Sequence, residues 1–386
     1  MTSSSGSPEI TAEPANPPWN LTGSVPDKPS ICDYGYVVRG NAIGSTREEL
    51  IKALVSRGPG QIKLAWTPET PHPVFPDKIP LLAEAFQKIT IREAWKNIGW
   101  GSALVALGVV LGLVLQDWKF LYRNLLSVFG ALAVAEGVWE LWRSRRYDQE
   151  EVEATASSLR FDAWIGKKHI SGYTFTLCAW IVIVGAAQAV SFEDSITRAA
   201  LVKPAVWQGE WWRLFTACLM HGSFMHFWMN FLILLHFARI VENTIHRAYV
   251  PLIFFVSAAA GSIFSVLLYP HTTSVGASGG LMGLFGFITT AAYFDRDRFP
   301  PKYLRRSLEG IAFVGMFGLI GFEFVDNAAH LGGLCGGLAL GWLFRPQRED
   351  VLLKVLSERI STLSTVVLVL LGILAAVAVT KILGYW

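Results

Sequence analysis

The chain has 386 residues, with 33 basic against 30 acidic side chains and a formal charge of +3. Its residues are 52% hydrophobic and 16% charged, where a soluble domain usually carries about 25% charged residues, so the charge that would cover a soluble surface is missing. These values argue against a cytosolic enzyme, a nucleic-acid binder and a disordered scaffold. Fifteen Trp and 35 Gly point the same way, because membrane helices use Gly for close packing and Trp at the lipid boundary. The working class is a polytopic membrane protein.

Residues 1–30 are rich in Ser, Pro and Thr, lack an apolar run and read as a disordered tail; they resemble neither a signal peptide nor a mitochondrial presequence. Residues 31–96 read as a small cytoplasmic α+β domain. Tyr34 to Val38 is a predicted strand, Ser45-Thr46-Arg47-Glu48 a predicted capping box opening a helix to Arg57, and Gln61 to Trp66 a second strand. A Pro-rich turn then leads to an amphipathic helix from about Pro80 to Lys96. No catalytic constellation occurs in this domain, and its partner is not readable.

From residue 97, stretches long enough to cross a bilayer as about 20 residues of helix recur at 97–116, 120–142, 170–191, 223–242, 249–269, 276–294, 309–325, 327–345 and 362–383, giving nine candidate spans. The connections at 143–169, at 295–308 and after Phe344 are rich in Lys and Arg, whereas alternate connections are poor in them. By the positive-inside rule the soluble domain is cytoplasmic and the C-terminus outside. The segment 144–169 reads as a basic cytoplasmic linker. Cys32, Cys178, Cys218 and Cys335 are far apart in the chain, which argues against a disulfide framework and a zinc site.

Polar residues inside spans are costly and are functional candidates by default. His226 and Asn230, four apart, share one face of the helix entered through His221. Ser278 stands between Gly276 and Gly279-Gly280 at a helix start, and His330 opens a helix that continues through Gly333 and Gly337. In the topology drawn from loop charge these three helices run outside to inside. Asn230, Ser278 and His330 then share a depth within roughly 5 to 15 Å of the outer helix ends, at a 1.5 Å rise per residue. Gly279 and Gly283, facing Gly333 and Gly337, would let two backbones approach closely. His330 can take the proton of the Ser278 hydroxyl, and the Ser278 amide, Asn230 and His226 can donate to an oxyanion. Asp326 and Glu323 read as solvated loop charges, so a Ser-His dyad is expected rather than a triad.

The patterns His221-x4-His226-x3-Asn230, Gly276-x-Ser278-Gly279 and Ala329-His330-x2-Gly333-x3-Gly337, with Trp212-Arg213 before them, resemble the signatures of the rhomboid family of intramembrane serine proteases. The resemblance covers about 170–345. It implies an all-α polytopic membrane protein with a six-helix rhomboid-like protease core at 170–345. The apolar stretches outside that core read as two extra transmembrane helices at 97–143 before it and a linker and C-terminal helix at 346–386 after it, an unusual elaboration that the motifs do not carry. The resemblance implies Ser278 as nucleophile, His330 as general base and acid, and an oxyanion hole of Asn230, His226 and the Ser278 amide. His221, Trp212 and Arg213 would be structural. The implied substrates are transmembrane proteins in a lipid bilayer, cut within or beside the span, with no metal, cofactor or nucleic acid. Met282 stands where the family usually has an aromatic side chain against the catalytic histidine. Met can fill that gap through sulfur contact, with the histidine held more loosely.

The plainer readings differ for each residue. His221 and His226 diverge on a helix and lack a third metal ligand. The glycine-flanked serine also fits the nucleophile elbow of soluble hydrolases, but that motif needs a preceding strand. A silent relative that binds and escorts membrane clients is the alternative class, and such relatives usually lack the serine or the histidine, both of which are present. A transporter is disfavoured because the polar residues lie near one face rather than the midplane. A plasma (inner) membrane location is expected.

Overall fold

The computed structural model describes residue 19, residues 28–29, 32–116, 125–145, 148–322, 325–344 and 350–385. The described residues are mostly helical, and among them five helices are long and apolar enough to cross a membrane: Pro80–Val114, Gly172–Val190, Phe224–His246, Tyr249–Leu268 and Glu358–Ile382. The chain is a multi-pass integral membrane protein. The apolar helix Ser278–Phe294 is shorter, and the stretches expected at 120–142, 309–325 and 327–345 lie on helices that fall outside that length and composition class.

Strands β1 (Tyr34–Val38), β2 (Asn41–Ser45) and β3 (Ile62–Trp66) form an antiparallel sheet in the order β2-β1-β3. Strand β2 was not expected, because its sequence NAIGS has little β propensity and it is an exposed edge. The β1–β2 hairpin instead turns on Arg39 and Gly40, both at positive φ (51° and 84°), which suits the twist of a two-residue hairpin loop. The capping box at helix α1 (Arg47–Arg57) sits one residue later than expected. Thr46 is the N-cap, its hydroxyl accepting from the Glu49 amide at 3.2 Å while its own amide donates to Glu49 Oε2 at 2.8 Å.

The amphipathic helix and the first apolar stretch are one element, α2 (Ala83–Val114), because no Pro or Gly-Pro signal interrupts the helix near residue 96. It pairs with α3 (Leu125–Ser144) through glycine: a Cβ on Gly101 would lie 2.5 Å from the Gly130 carbonyl, and one on Gly137 2.6 Å from that of Ala94. The segment expected to be a linker is mostly helix α4 (Gln149–Gly166), capped by Asp148. It spans two cores, with Val152 and Ala156 packed with Leu50 and Phe86 of the small domain, and Phe161 and Ile165 packed with the membrane helices. Arg160 pairs with Asp77 at 2.5 Å, both buried, and lies 4.5 Å over the Phe75 ring.

Next come α5 (Gly172–Val190) and the short α6 (Phe192–Ala199), then β4 (Leu201–Val202) and the turns Lys203–Trp207 and Arg213–Thr216. Helices α7 (Phe224–Val241) and α8 (Tyr249–Leu268) lead to β5 (Thr273–Ser274), which pairs antiparallel with β4. The remainder is α9 (Ser278–Phe294), α10 (Tyr303–Ile320), α11 (Asn327–Leu343) and α12 (Asp350–Ile382). Helix α12 lies along α5, where Trp180 donates to the Leu368 carbonyl at 3.2 Å. At the opposite end of the helices from Ser278, Glu151 of α4 receives Lys302 at 2.9 Å and Arg305 at 3.5 Å. Burial there disfavours the Glu151 charge, yet Lys302 and its basic neighbours more than offset this and hold its carboxyl below the usual range. Among the described residues of the tail expected to be disordered, two make contacts: Trp19 is buried, donates to the Arg298 carbonyl at 3.4 Å and meets the Phe161 ring edge-on, and Lys28 donates to the Thr67 and Thr70 carbonyls at 2.7 and 3.0 Å.

The three innermost helices approach at glycine. A Cβ on Gly333 would overlap the Gly279 carbonyl, one on Gly337 the Gly283 carbonyl, and one on Gly261 of α8 would come 2.6 Å from the Ala329 carbonyl. Gly337→Val should therefore lower the thermal unfolding midpoint in detergent, since overpacking costs about 1–3 kcal/mol. Gly99→Ala on α2, where nothing lies within 4 Å of the new Cβ, should leave the midpoint unchanged or slightly raised.

Candidate active site

Ser278 is the first residue of α9. The chain enters through Gly276, whose φ of 132° favours glycine and whose amide donates to the Ala217 carbonyl at 3.0 Å. There is no room for a side chain either: a Cβ at Gly276 would lie 2.8 Å from Cε1 of His226, 3.0 Å from its Nε2 and 3.8 Å from Nδ2 of Asn230. So α7 places its imidazole and its amide against the segment two residues before the serine. One residue after the serine, Gly279 faces the Ala329 carbonyl, 3.4 Å from a Cβ built there, and the Gly279 carbonyl abuts Gly333. Ala329 and Gly333 flank His330 on α11. The serine thus stands at the junction of α7, α9 and α11, with the predicted histidine and amide on the facing helices.

The polar atoms of this junction are only partly used. Asn230 is buried, and its Nδ2 has no hydrogen-bond partner among the described residues; the same holds for Nδ1 of His330. Among those residues no hydrogen bond joins Ser278 to His330, and both are half-buried. His226 Nδ1 accepts from the Gly222 amide at 3.4 Å, which in a neutral ring leaves the proton on Nε2, the atom turned toward Gly276. Ser223 caps α7 by accepting from the His226 amide at 3.1 Å.

His221 is buried behind this junction. Its backbone makes two hydrogen bonds with the Gln188 side chain, at 2.9 and 3.0 Å, and its ring meets His226 edge-on at 5.4 Å and Phe227 at 5.3 Å. Arg213 is also buried, donating to the Ala200 carbonyl at 2.7 Å and to Glu210 at 2.6 Å, with its guanidinium 4.6 Å over the Trp212 ring. Met282 is buried one turn beyond Ser278.

One expectation is overturned. Asp326 is not a solvated loop charge: its side chain is 17% exposed and it is the N-cap of α11. Oδ1 accepts from the Ala329 amide at 2.9 Å, and Oδ2 accepts from Ser265, from Ser274 at 2.5 Å and from Lys203 at 3.5 Å. Lys203 is fully buried and also donates to Thr272 at 2.5 Å. The signal was present in the sequence, since Asp at the residue before an apolar helix is a capping pattern; the serines and lysine that complete the set are 52 to 123 residues distant and carry no local mark. Glu323 lies outside the described residues.

A multi-pass membrane fold with a serine at a glycine-flanked helix start, facing a histidine and an amide on neighbouring helices, defines a class of membrane protein with a buried polar site. A sequence model of the Rhomboid domain matches residues 208–347. Over 165 residues the chain is 31% identical to YdcA of Bacillus subtilis, covering 42% of this chain and 81% of that protein. It is 36% identical over 150 residues to RHOMBOID-like protein 6, mitochondrial, of Arabidopsis thaliana, and 35% over 149 to the rhomboid protease GluP of Bacillus subtilis. These two matches cover 38% of this chain, and 48% and 28% of the relatives' own lengths. The chain belongs to the rhomboid family.

Burial raises the pKa of Asp326, but its serine, amide and lysine donors more than offset this and hold the carboxyl below the usual range. A group whose folded pKa is depressed stabilises the fold above its unfolded value, about 3.9 for Asp, and that contribution is lost as pH falls through the folded value. The difference in unfolding midpoint between the wild-type chain and Asp326→Asn should therefore be largest near neutral pH and shrink below about pH 4. An unchanged difference at pH 3 would count against the carboxylate's charge being used here.

Proposed function

We propose that the chain is an intramembrane serine endopeptidase that hydrolyses peptide bonds within or next to transmembrane segments, using a Ser278–His330 dyad. The observation that carries this reading is the convergence of α7, α9 and α11 on Ser278. His330 Nδ1 and Asn230 Nδ2 have no partner among the described residues there, and unspent polar atoms in a buried site call for a role.

In this reading His330 accepts the Ser278 proton as the hydroxyl attacks the scissile carbonyl, then returns it to the leaving amine. The Asn230 amide, the Nε2–H of His226 and the Ser278 N–H at the start of α9 donate to the tetrahedral oxyanion. Dyad geometry is often loose in the unliganded enzyme and tightens on substrate binding, which accommodates the missing Ser278–His330 hydrogen bond. His221, Trp212, Arg213 and Met282 support the site. The protease core is 170–345, with two additional helices before it and one after it, and the small domain at 31–96 lies in the cytoplasm of a plasma-membrane protein whose C-terminus is outside. Substrates are transmembrane proteins.

Purified protein in detergent should cleave a fluorogenic transmembrane substrate, and Ser278→Ala or His330→Ala should reduce cleavage by at least about a thousandfold. Turnover by Ser278→Ala equal to wild type would sink the assignment. The second reading, a silent rhomboid-like protein that escorts membrane clients, draws on the same missing hydrogen bond. A fluorophosphonate probe separates the two, because it labels Ser278 only if the hydroxyl is activated. Met282→Phe should retain or raise activity.

A further inference from the structure

The polar groups around Asp326 form a set separate from the reacting groups, yet Ser274 and Asp326 itself belong to segments that lead directly to one of them. The carboxylate Oδ1 accepts from the Ala329 amide, and the Asp326 carbonyl accepts from the His330 amide at 3.0 Å. The first turn of α11 is thus wound on Asp326 immediately before the imidazole. Oδ2 accepts from Ser274, the last residue of β5 and four residues before Ser278. It also accepts from Ser265 in the last turn of α8 and from Lys203 just after β4. Strands β4 and β5 pair through Leu201 with Ser274 and Val202 with Thr273, so the serine, opposite Leu201, and the lysine, just beyond Val202, reach the carboxylate from the two ends of one short ribbon.

We propose that Asp326 is the positioning residue of the hydrolytic site, its single carboxylate setting both the segment that delivers Ser278 and the helical turn that carries His330, with Lys203 as its charge partner. The inference rests on the Ser278–His330 reading above. Asp326 touches neither substrate nor reacting atoms; it acts through the backbone on both sides of the pair. Its two functions are separable in chemistry. Capping α11 needs a side-chain acceptor, which Asn supplies nearly as well as Asp. The negative charge is needed because Lys203 is fully buried, and a buried cation without a counter-charge is strongly unfavourable.

The test is turnover of a fluorogenic transmembrane substrate by the full chain in proteoliposomes, with unfolding midpoints and fluorophosphonate labelling of Ser278 measured alongside. In Asp326→Ala, kcat should fall about tenfold to a hundredfold, the scale of a misplaced reacting pair, while KM stays within about twofold of wild type. Ser278 labelling should slow in parallel with kcat. Asp326→Asn alone should lose activity because Lys203 is left unpaired, and Lys203→Met combined with Asp326→Asn should recover most of kcat because the cap remains and the charge is gone. That matched pair also covers the case in which Asp326→Ala fails to fold. Wild-type kcat in Asp326→Ala overturns the inference, as does a double variant no better than Asp326→Asn, or a loss that tracks only the fraction of folded protein. A wild-type chain that neither cleaves nor labels overturns the reading of the site itself; active wild type with unaffected Asp326 variants overturns this inference alone.

Discussion

The structure depends on how closely α9 and α11 can approach. In lipid there is no hydrophobic force to press two helices together, so association rests on van der Waals contact and the polar contacts that close approach permits. Gly279 and Gly283 on one helix meet Gly333 and Gly337 on the other with backbone against backbone. A side chain at Gly333 or Gly337 would overlap the backbone of α9 and move α11 away from it, and with it the imidazole from the serine, whereas one at Gly283 would overlap Ser257 of α8. Gly261 of α8 meets the Ala329 carbonyl in the same way, so the histidine helix is located from two sides by contacts that a methyl group would break.

Much of this was readable in the sequence. Four-residue glycine spacing on two helices, and polar side chains at matching depth on three, mark a helix junction because both patterns depend only on helical periodicity. Five of the nine expected apolar stretches likewise coincide, among the described residues, with helices long and apolar enough to cross a membrane, because that property follows from composition and length. What was not readable involves long separations or contrary local signals. Strand β2 is formed by pairing, not propensity, and α2 continues through residue 96 because nothing in its backbone chemistry stops it. Asp326 looked like a loop charge because its neutralising partners are remote in sequence and meet it only in the fold.

The two ends of the helix assembly are fastened differently. At the end bearing Ser278, buried donors converge on one carboxylate, and Arg213 closes the adjacent segment through the Ala200 carbonyl and Glu210. At the other end, α4 carries one face into the small domain and another into the membrane core, with Glu151 gripping Lys302 and Arg305 where the chain turns from α9 to α10. Trp19 adds a contact to the Arg298 carbonyl in that same turn. The small domain is therefore mechanically continuous with the helices rather than tethered to them.

The Asp326 cluster also has a consequence for the order of events during synthesis. Lys203 and Ser274 are made 123 and 52 residues before the carboxylate that they bind, and Ser278 follows Ser274 directly. Without Asp326 and α11 the lysine and the two serines lack this carboxylate, and Gly261 and Gly279 lack the facing backbone of Ala329 and Gly333. A nascent chain that already contains the serine therefore has no assembled site. The contacts that bring α7, α9 and α11 together at Ser278 are therefore complete only when the last of the three innermost helices is in place.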